Sequence, residues 1–249
     1  MHPATRIDLN ADVGEGYGQD AALMPLISSA NIACGVHAGD TDSMRETVLL
    51  ALDHGVAVGA HPSFPDREHF GRQEMQLSAR DLHQCIVAQI ESLAEVAAAA
   101  GTRLHHVKPH GALYNMAARD EELAAVVAQA VRAVDPALML FGLAGSVSLT
   151  VAERMGLRAI GEAFADRGYK PDGSLQPRSE PGSVIESGAL VVGRAVEMAG
   201  NRSVTAIDGS RIALSAETIC LHGDTPGAAV LAWQIRSAFA QAGIRVAPP

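Results

Sequence analysis

The sequence is short of aromatic residues, of cysteine and of positive charge, and each shortage excludes a class of protein. Aromatics make up 4% of the 249 residues while hydrophobic residues make up 48%, so any core must be largely aliphatic. The three cysteines are odd in number and widely spaced, which argues against a disulfide framework and favours a reducing cytoplasm. A net charge of −9 argues against nucleic-acid partners and against attachment to an acidic membrane surface.

Several familiar motifs are missing as well. No apolar run is long enough to cross a membrane, and the N-terminus lacks the apolar segment of a signal peptide. The sequence has no G-x-x-x-x-G-K-[ST] phosphate-binding loop, and the glycines from Gly14 to Gly18 are spaced G-x-G-x-G, unlike those of a dinucleotide-binding turn. We therefore expect a cytoplasmic enzyme or binding protein with neither a nucleic-acid nor a membrane partner.

Short apolar runs typical of buried strands alternate with amphipathic helical patterns along the whole chain. Asp40 and Ser78 stand where two of the helices would begin. This alternation predicts parallel strands with helices outside, and the length suits one β/α barrel; an open doubly wound sheet is the alternative. Since the composition does not shift anywhere, we predict a single domain over residues 1–249. The seven predicted strands are the one that begins at Ile7 and those at Asn31–Cys34, Val56–Ala60, His105–Lys108, Leu138–Leu143, Leu157–Ala163 and Thr218–Leu221.

Polar side chains collect where these predicted strands end. The first strand carries Asn10 and Asp12, polar groups that a buried strand does not tolerate unless they are paired or functional. Similar residues follow five of the other strands, and in a β/α barrel all these ends meet at one face, where active sites are built. The candidates after the later strands are His37, His61, Lys108, His110, Glu162, Asp166, Arg167 and His222.

Three of these residues fit two kinds of catalysis. Asp12, His37 and His61 are types that bind a divalent metal ion, although their spacing is less specific than an H-E-x-x-H motif. Without a metal, the carboxylate could orient a histidine that acts as general base. Cys34, three residues before His37, suggests a thiol nucleophile, but a buried cysteine more commonly behaves as a small hydrophobe.

The cationic candidates also have two interpretations. Lys108 follows an apolar strand and precedes a proline, so its ammonium group needs an anionic neighbour. That neighbour is either a substrate or one of the carboxylates of Glu162 and Asp166. The guanidinium of Arg167 could hold a substrate carboxylate through two parallel hydrogen bonds.

Five segments of the chain carry a resemblance to a known family. In order they are IDLNADVGEGYG, ANIACGVHAGD, GAHPSFPDREHFGR, HVKPHGALYN and EAFADRGY, and they resemble the LamB/YcsF family, whose members are identified as the A component of prokaryotic 5-oxoprolinase. The match runs from Ile7 to His222. It implies an irregular seven-stranded (β/α) barrel of the glycoside hydrolase/deacetylase type.

The resemblance also implies a reaction, a co-substrate and partners. The reaction is the ATP-dependent opening of 5-oxo-L-proline, a small anionic lactam, to L-glutamate with release of ADP and phosphate, and Mg²⁺ would accompany the ATP. The implied partners are subunits B and C. Because no phosphate-binding loop is present, we expect the ATP site to be shared with those subunits; a homo-oligomer is also compatible with the sequence.

Residue type and placement suggest a role for each candidate. The residues that we expect to be catalytic are Asp12, His37, His61, Lys108 and His110, and those that we expect to bind substrate are Asn10, Glu162, Asp166, Arg167 and His222. Two alternatives stay open. One is a metal-dependent amidase or deacetylase that uses Asp12, His37 and His61, and the other is a non-catalytic protein component that binds a small carboxylate.

Overall fold

The computed structural model describes residues 6–178, 180–221 and 227–249. The strands in these ranges are β1 (Arg6–Val13), β2 (Ser29–Ala33), β3 (Ala57–His61), β4 (His106–Val107), β5 (Met139–Leu143), β6 (Arg158–Phe164), β7 (Ser203–Thr205), β8 (Arg211–Ala213), β9 (Thr218–Leu221) and β10 (Arg245–Val246). The α-helices are α1 (Asp20–Leu23), α2 (Thr41–Asp53), α3 (Ala79–Ala99), α4 (Gly111–Ala117), α5 (Glu121–Val134), α6 (Val147–Arg154), α7 (Gly188–Asn201) and α8 (Ala228–Gln241). A 3₁₀ turn over Met24–Leu26 follows α1.

Seven parallel strands close into a barrel in the order β1-β2-β3-β4-β5-β6-β9. The barrel closes because β9 pairs with two strands at once: Ile219 lies opposite Leu9 of β1 and opposite Ala163 of β6. The short strand β10 pairs with the start of β1 from outside the barrel. The predicted seven-stranded (β/α) barrel is therefore confirmed, and the alternative of an open sheet is wrong.

The helices begin where the sequence carries capping residues. The Asp40 side chain accepts a hydrogen bond from the backbone N–H of Ser43 at the start of α2, and the Ser43 hydroxyl accepts one from the backbone N–H of Asp40. Ser78 caps α3 by accepting from the N–H of Asp81. Such caps satisfy backbone donors that have no partner in the first turn of a helix. Both predicted caps are confirmed.

Three polar residues of β1 face the inside of the barrel. Asp8, Asn10 and Asp12 share one side of the strand because side chains alternate with a period of two residues. Asp8 accepts a hydrogen bond from the hydroxyl of Thr218 on the neighbouring strand β9, and Asn10 donates one to the carboxylate of Glu162 on β6. The interruptions of the apolar pattern in β1 thus mark a hydrogen-bonded polar interior, with aliphatic packing between the strands and the helices.

Two elements go beyond what the sequence pattern predicts. The helix α4 spans seven residues directly after His110, which is too short for a clear helical period. The strand β10 has only two residues. Strands β7 and β8 pair antiparallel, and the chain that joins them turns at Asp208 and Gly209. None of the helices in the described ranges combines the length and the apolar character needed to cross a bilayer.

Candidate active site

An ammonium group held between two carboxylates lies near the C-terminal ends of the strands. The Nζ atom of Lys108 is 3.0 Å from Oδ1 of Asp12 and 2.9 Å from Oε1 of Glu162. It also lies 3.0 Å from Sγ of Cys220. Burial alone would lower the pKa of Lys108, but the charge of Asp12 and that of Glu162 hold the pKa well above its ordinary value. The side chain is therefore a buried, paired cation.

His61, the last residue of β3, connects this cation to a group of histidines. Its Nδ1 lies 2.7 Å from the backbone carbonyl oxygen of Lys108 and must donate to it, because a carbonyl oxygen can only accept. Its Nε2 lies 3.4 Å from Oδ2 of Asp12 and 2.9 Å from Nδ1 of His110. The geometry thus directs Nε2 of His61 toward Asp12 and His110.

Two further imidazoles pack together beside His61. The rings of His37 and His110 are stacked with centroids 4.0 Å apart and an angle of 5° between their planes. Burial, followed by the nearby charge of His61, lowers the pKa of His37 to about 3, and the same causes lower the pKa of His110 further below its ordinary value. These two rings are therefore neutral at physiological pH.

Glu15 completes the cluster, and our sequence reasoning did not identify it. Its Oε1 lies 3.2 Å from Nε2 of His37 and 3.5 Å from Nδ1 of His110, and the side chain is 4% exposed. Ligand atoms of Glu15, His37, His61 and His110 lie within 4.8 Å of one another, so this group could hold a metal ion. The structure thus gathers Glu15 with the three predicted histidines, whereas Asp12, predicted as a possible metal ligand, lies outside this group and contacts Lys108. The sequence feature that could have identified Glu15 is its position between two glycines just after the end of a predicted strand.

The predicted substrate contacts Asn10 and Glu162 lie deeper in the barrel. The Asn10 amide donates to Glu162 at 2.9 Å and accepts from the amide of Asn31 at 2.7 Å. Both Asn10 and Glu162 are 0% exposed. They lie directly below Asp12, which accepts a hydrogen bond from the same Asn31 amide. Through these contacts, Asn10 and Glu162 help to fix the side chains of Asp12 and Lys108.

The remaining candidates lie apart from the histidines or outside the described ranges. The Arg167 guanidinium donates to the backbone carbonyls of Ser183 and Gln176, so it holds the loop that follows β6. Asp166 lines a groove of about 440 Å³ between that loop and α8. His222 belongs to the residues that the structure does not describe. The role of these three residues in substrate binding stays a prediction.

The thiols are placed as structural groups. Cys34 donates a hydrogen bond to the carbonyl of Ile32, and burial raises its pKa to about 12. Burial also raises the pKa of Cys220 well above its ordinary value, although the adjacent ammonium of Lys108 acts in the opposite direction. Because a thiol attacks as its thiolate, neither environment favours nucleophilic catalysis.

Comparison with known proteins gives one close and several distant similarities. A lactam utilization protein from Thermus thermophilus is 46% identical, with a TM-score of 0.91 over 97% of this chain and 99% of that one. A variant of the peptidoglycan deacetylase PdaC from Bacillus subtilis is 13% identical, with a TM-score of 0.51 over 98% of this chain and 87% of that one. The pneumococcal virulence factor StrH is 10% identical, with a TM-score of 0.55 over 96% of this chain and 83% of that one. The last two similarities show a shared fold only.

The family model that matches the sequence covers almost the entire chain. It is the model of the LamB/YcsF family, and the match spans residues 7–249. All five segments that carry the resemblance lie within this range, and so do the histidine cluster and the Lys108 ion pairs. The protein therefore belongs to the LamB/YcsF family.

Proposed function

We propose that this protein is the A component of a 5-oxoprolinase, which opens 5-oxo-L-proline to L-glutamate with ATP and with subunits B and C. The observation that carries the proposal is the 46% identity, over 97% of the chain, to a lactam utilization protein. A lactam is a cyclic amide, and 5-oxoproline is a lactam with one carboxylate. The site supports the proposal because it combines a buried cation with basic and acidic groups at the mouth of a barrel.

ATP would activate the lactam for reaction with water. An unstrained five-membered lactam resists water, and transfer of a phosphoryl group from ATP to the amide oxygen would activate the ring carbon. Attack by water and cleavage of the C–N bond, with a proton going to the leaving nitrogen, would give an acyl phosphate. A second water would hydrolyse this acyl phosphate to glutamate and phosphate. The chain contains no phosphate-binding loop of the G-x-x-x-x-G-K-[ST] type. We therefore assign ATP to an interface that this chain shares with the partner subunits.

The chain's own residues would act on the substrate from one side of the barrel mouth. Nε2 of His61, which lies near Oδ2 of Asp12, would take a proton from the attacking water. The ammonium group of Lys108 would stabilise the negative charge that develops on the tetrahedral carbon's oxygen. Because both groups are buried and held by hydrogen bonds, little reorganisation is needed when the charge develops.

A cation at the rim would meet the carboxylate of the substrate. The guanidinium carbon of Arg72 lies 5.0 Å from the ring centroid of Phe70, and that ring packs edge-on against His37 and His110. The positive charge of Arg72 also contributes to the lowered pKa of His37, so it is felt inside the cluster. We assign the carboxylate to Arg72 because its charge acts on the histidine cluster that contains His37.

The decisive experiment is a reconstitution. The purified chain is assayed with 5-oxoproline and ATP, alone and with subunits B and C, and glutamate and phosphate are measured. We expect turnover only from the complete mixture. Arg72→Gln should raise KM for 5-oxoproline at least tenfold, whereas Arg80→Gln, an exposed change on α3, should leave KM unchanged.

Each alternative predicts a different result in the same assay. Full turnover by the isolated chain would contradict a shared site. Amide hydrolysis that needs no ATP and is lost on chelation would favour a metal-dependent amidase or deacetylase. Turnover of the complex that survives both His37→Ala and His61→Ala would favour a non-catalytic component that binds a small carboxylate.

A further inference from the structure

Backbone carbonyl groups fix the proton positions on two of the clustered histidines. Nδ1 of His61 donates to the carbonyl of Lys108 at 2.7 Å, and Nε2 of His110 donates to the carbonyl of Phe70 at 2.9 Å. A neutral imidazole carries one ring proton. In its neutral form each ring therefore presents an unprotonated nitrogen on its other side.

Those two unprotonated nitrogens face each other. Nε2 of His61 and Nδ1 of His110 are 2.9 Å apart, and their side chains are 1% and 6% exposed. Two lone pairs at this distance repel each other in a buried site unless a cation lies beside both. The carboxylate of Glu15, 3.5 Å from the same nitrogen of His110, adds negative charge at this position. The arrangement needs a positive species, which is either a shared proton or a metal ion.

We propose that Glu15, His37, His61 and His110 form a binding site for a transition-metal ion of the Zn²⁺ type. A shared proton would use only the two facing nitrogens, whereas the structure brings ligand atoms of four residues within 4.8 Å of one another. Around tetrahedral Zn²⁺, ligand atoms bound at roughly 2.1 Å lie roughly 3.4 Å apart. The separations of 2.9, 3.2 and 3.5 Å within the cluster are close to that value.

The donor set also selects the class of ion. Three imidazole nitrogens and one carboxylate oxygen suit Zn²⁺ or Co²⁺, whereas Mg²⁺ and Ca²⁺ prefer oxygen donors throughout. The backbone carbonyls that accept hydrogen bonds from His61 and His110 orient these two rings. In metal sites, histidine ligands are commonly oriented in the same way, by a hydrogen bond from the ring nitrogen that does not bind the metal. Phe70 presents its carbonyl from a left-handed conformation, φ 58°, which is unfavourable for a residue with a bulky side chain. The surrounding structure therefore holds the carbonyl in place for His110.

This site does not rest on the proposed function, but it changes one assignment within it. A bound ion would use the lone pair of His61. Asp12 would then be the proton acceptor, because its Oδ2 lies beside Nε2 of His61 and outside the four ligands.

The test measures metal binding directly. The chain is stripped of metal with a chelator and titrated with Co²⁺, and the visible absorption of a tetrahedral Co²⁺ site is recorded together with stoichiometry by calorimetry. We expect one equivalent of Co²⁺ to bind and Zn²⁺ to displace it. Glu15→Gln should weaken binding at least tenfold, and His110→Ala should abolish the absorption. His54→Ala, an exposed change at the end of α2, is the matched control and should bind like the unchanged chain.

Circular dichroism and thermal unfolding of each variant establish that it is folded before the titration is interpreted. No binding of Co²⁺ or Zn²⁺ by the folded, unchanged chain would overturn the proposal and leave a shared proton between His61 and His110. Equal binding by His110→Ala and His54→Ala would also overturn it. Since binding is measured without substrate, ATP or partner subunits, metal binding without lactam turnover would contradict only the proposed function.

Discussion

The Lys108 ammonium nitrogen lies 3.0 Å from a carboxylate oxygen of Asp12, and the two side chains come from opposite parts of the barrel, β1 and the end of β4. Glu162 of β6 contacts the same ammonium group at 2.9 Å. Three strands that are far apart in sequence are thus joined by one buried cation. Removal of the ammonium group would leave two buried carboxylates without the cation that compensates their charge.

Replacement of this lysine tests both its structural and its catalytic role. Lys108→Met keeps the length of the side chain but leaves Asp12 and Glu162 without their cation. We expect turnover by the complete enzyme to fall at least 100-fold and the free energy of unfolding to fall by about 3 kcal/mol. Steady-state kinetics and urea unfolding measure the two effects.

The only other lysine of the chain provides the control. Lys170 is half-buried in the loop after β6, and Lys170→Met should change turnover less than threefold. If Lys108→Met kept normal turnover, the ammonium group would have no role in stabilising the oxyanion. If it kept normal stability, the pairing with Asp12 and Glu162 would contribute nothing to folding.

A buried carboxyl deeper in the barrel predicts how stability depends on pH. Burial, only partly offset by hydrogen bonds from Ser28, Thr218 and Ser29, raises the pKa of Asp8 from 3.8 to about 6. Between these two values the unfolded chain ionises at Asp8 before the folded chain does. The contribution of Asp8 to stability is therefore complete below about pH 4 and is lost as the pH rises through about 6. The loss is at most about 3 kcal/mol.

Asp8→Asn removes this ionisation and so isolates the effect. The free energy of unfolding of Asp8→Asn minus that of the unchanged chain should rise between pH 4 and pH 7, measured by urea titration at each pH. All other ionisable groups are common to both proteins and cancel in the difference. A difference that stayed flat over this range would show that Asp8 titrates alike in both states.

Strand ends and helix caps were predictable because they depend on local patterns. Period-two and helical spacing located the seven barrel strands, and the placement of His61 and Lys108 at strand ends identified the face of the site. Glu15 was missed because a carboxylate between glycines is equally typical of a turn. The bonds from Arg167 to loop carbonyls were not predictable either, because they depend on a loop path that local spacing does not encode.

The cysteine near the histidines should be dispensable for catalysis. A thiol with a pKa near 12 is almost entirely protonated at pH 7, so Cys34 is a poor nucleophile. Cys34→Ala should keep turnover within threefold of the unchanged enzyme, as should the control Cys85→Ala in α3. Inactivation by iodoacetamide that maps to Cys34 and is prevented by substrate would contradict this expectation.

A glycine beside the histidines should be required for the shape of the site. Gly71 has a φ of 65°, and a Cβ atom there would lie 3.0 Å from Cδ2 of His110 and 3.2 Å from Cβ of His37. Gly71→Ala therefore adds contacts that push on both rings, besides the cost of the left-handed conformation.

Gly101 separates the cost of the left-handed conformation from the cost of the added contacts. It has a φ of 82°, and a Cβ atom there would meet no atom within 4 Å. Gly101→Ala should lose about 1 kcal/mol of stability with normal turnover. Gly71→Ala should lose about 2–4 kcal/mol, and its turnover should fall at least tenfold because the rings move. Thermal unfolding and kinetics of both variants measure this, and normal turnover by Gly71→Ala would show that the site tolerates displacement of His37 and His110.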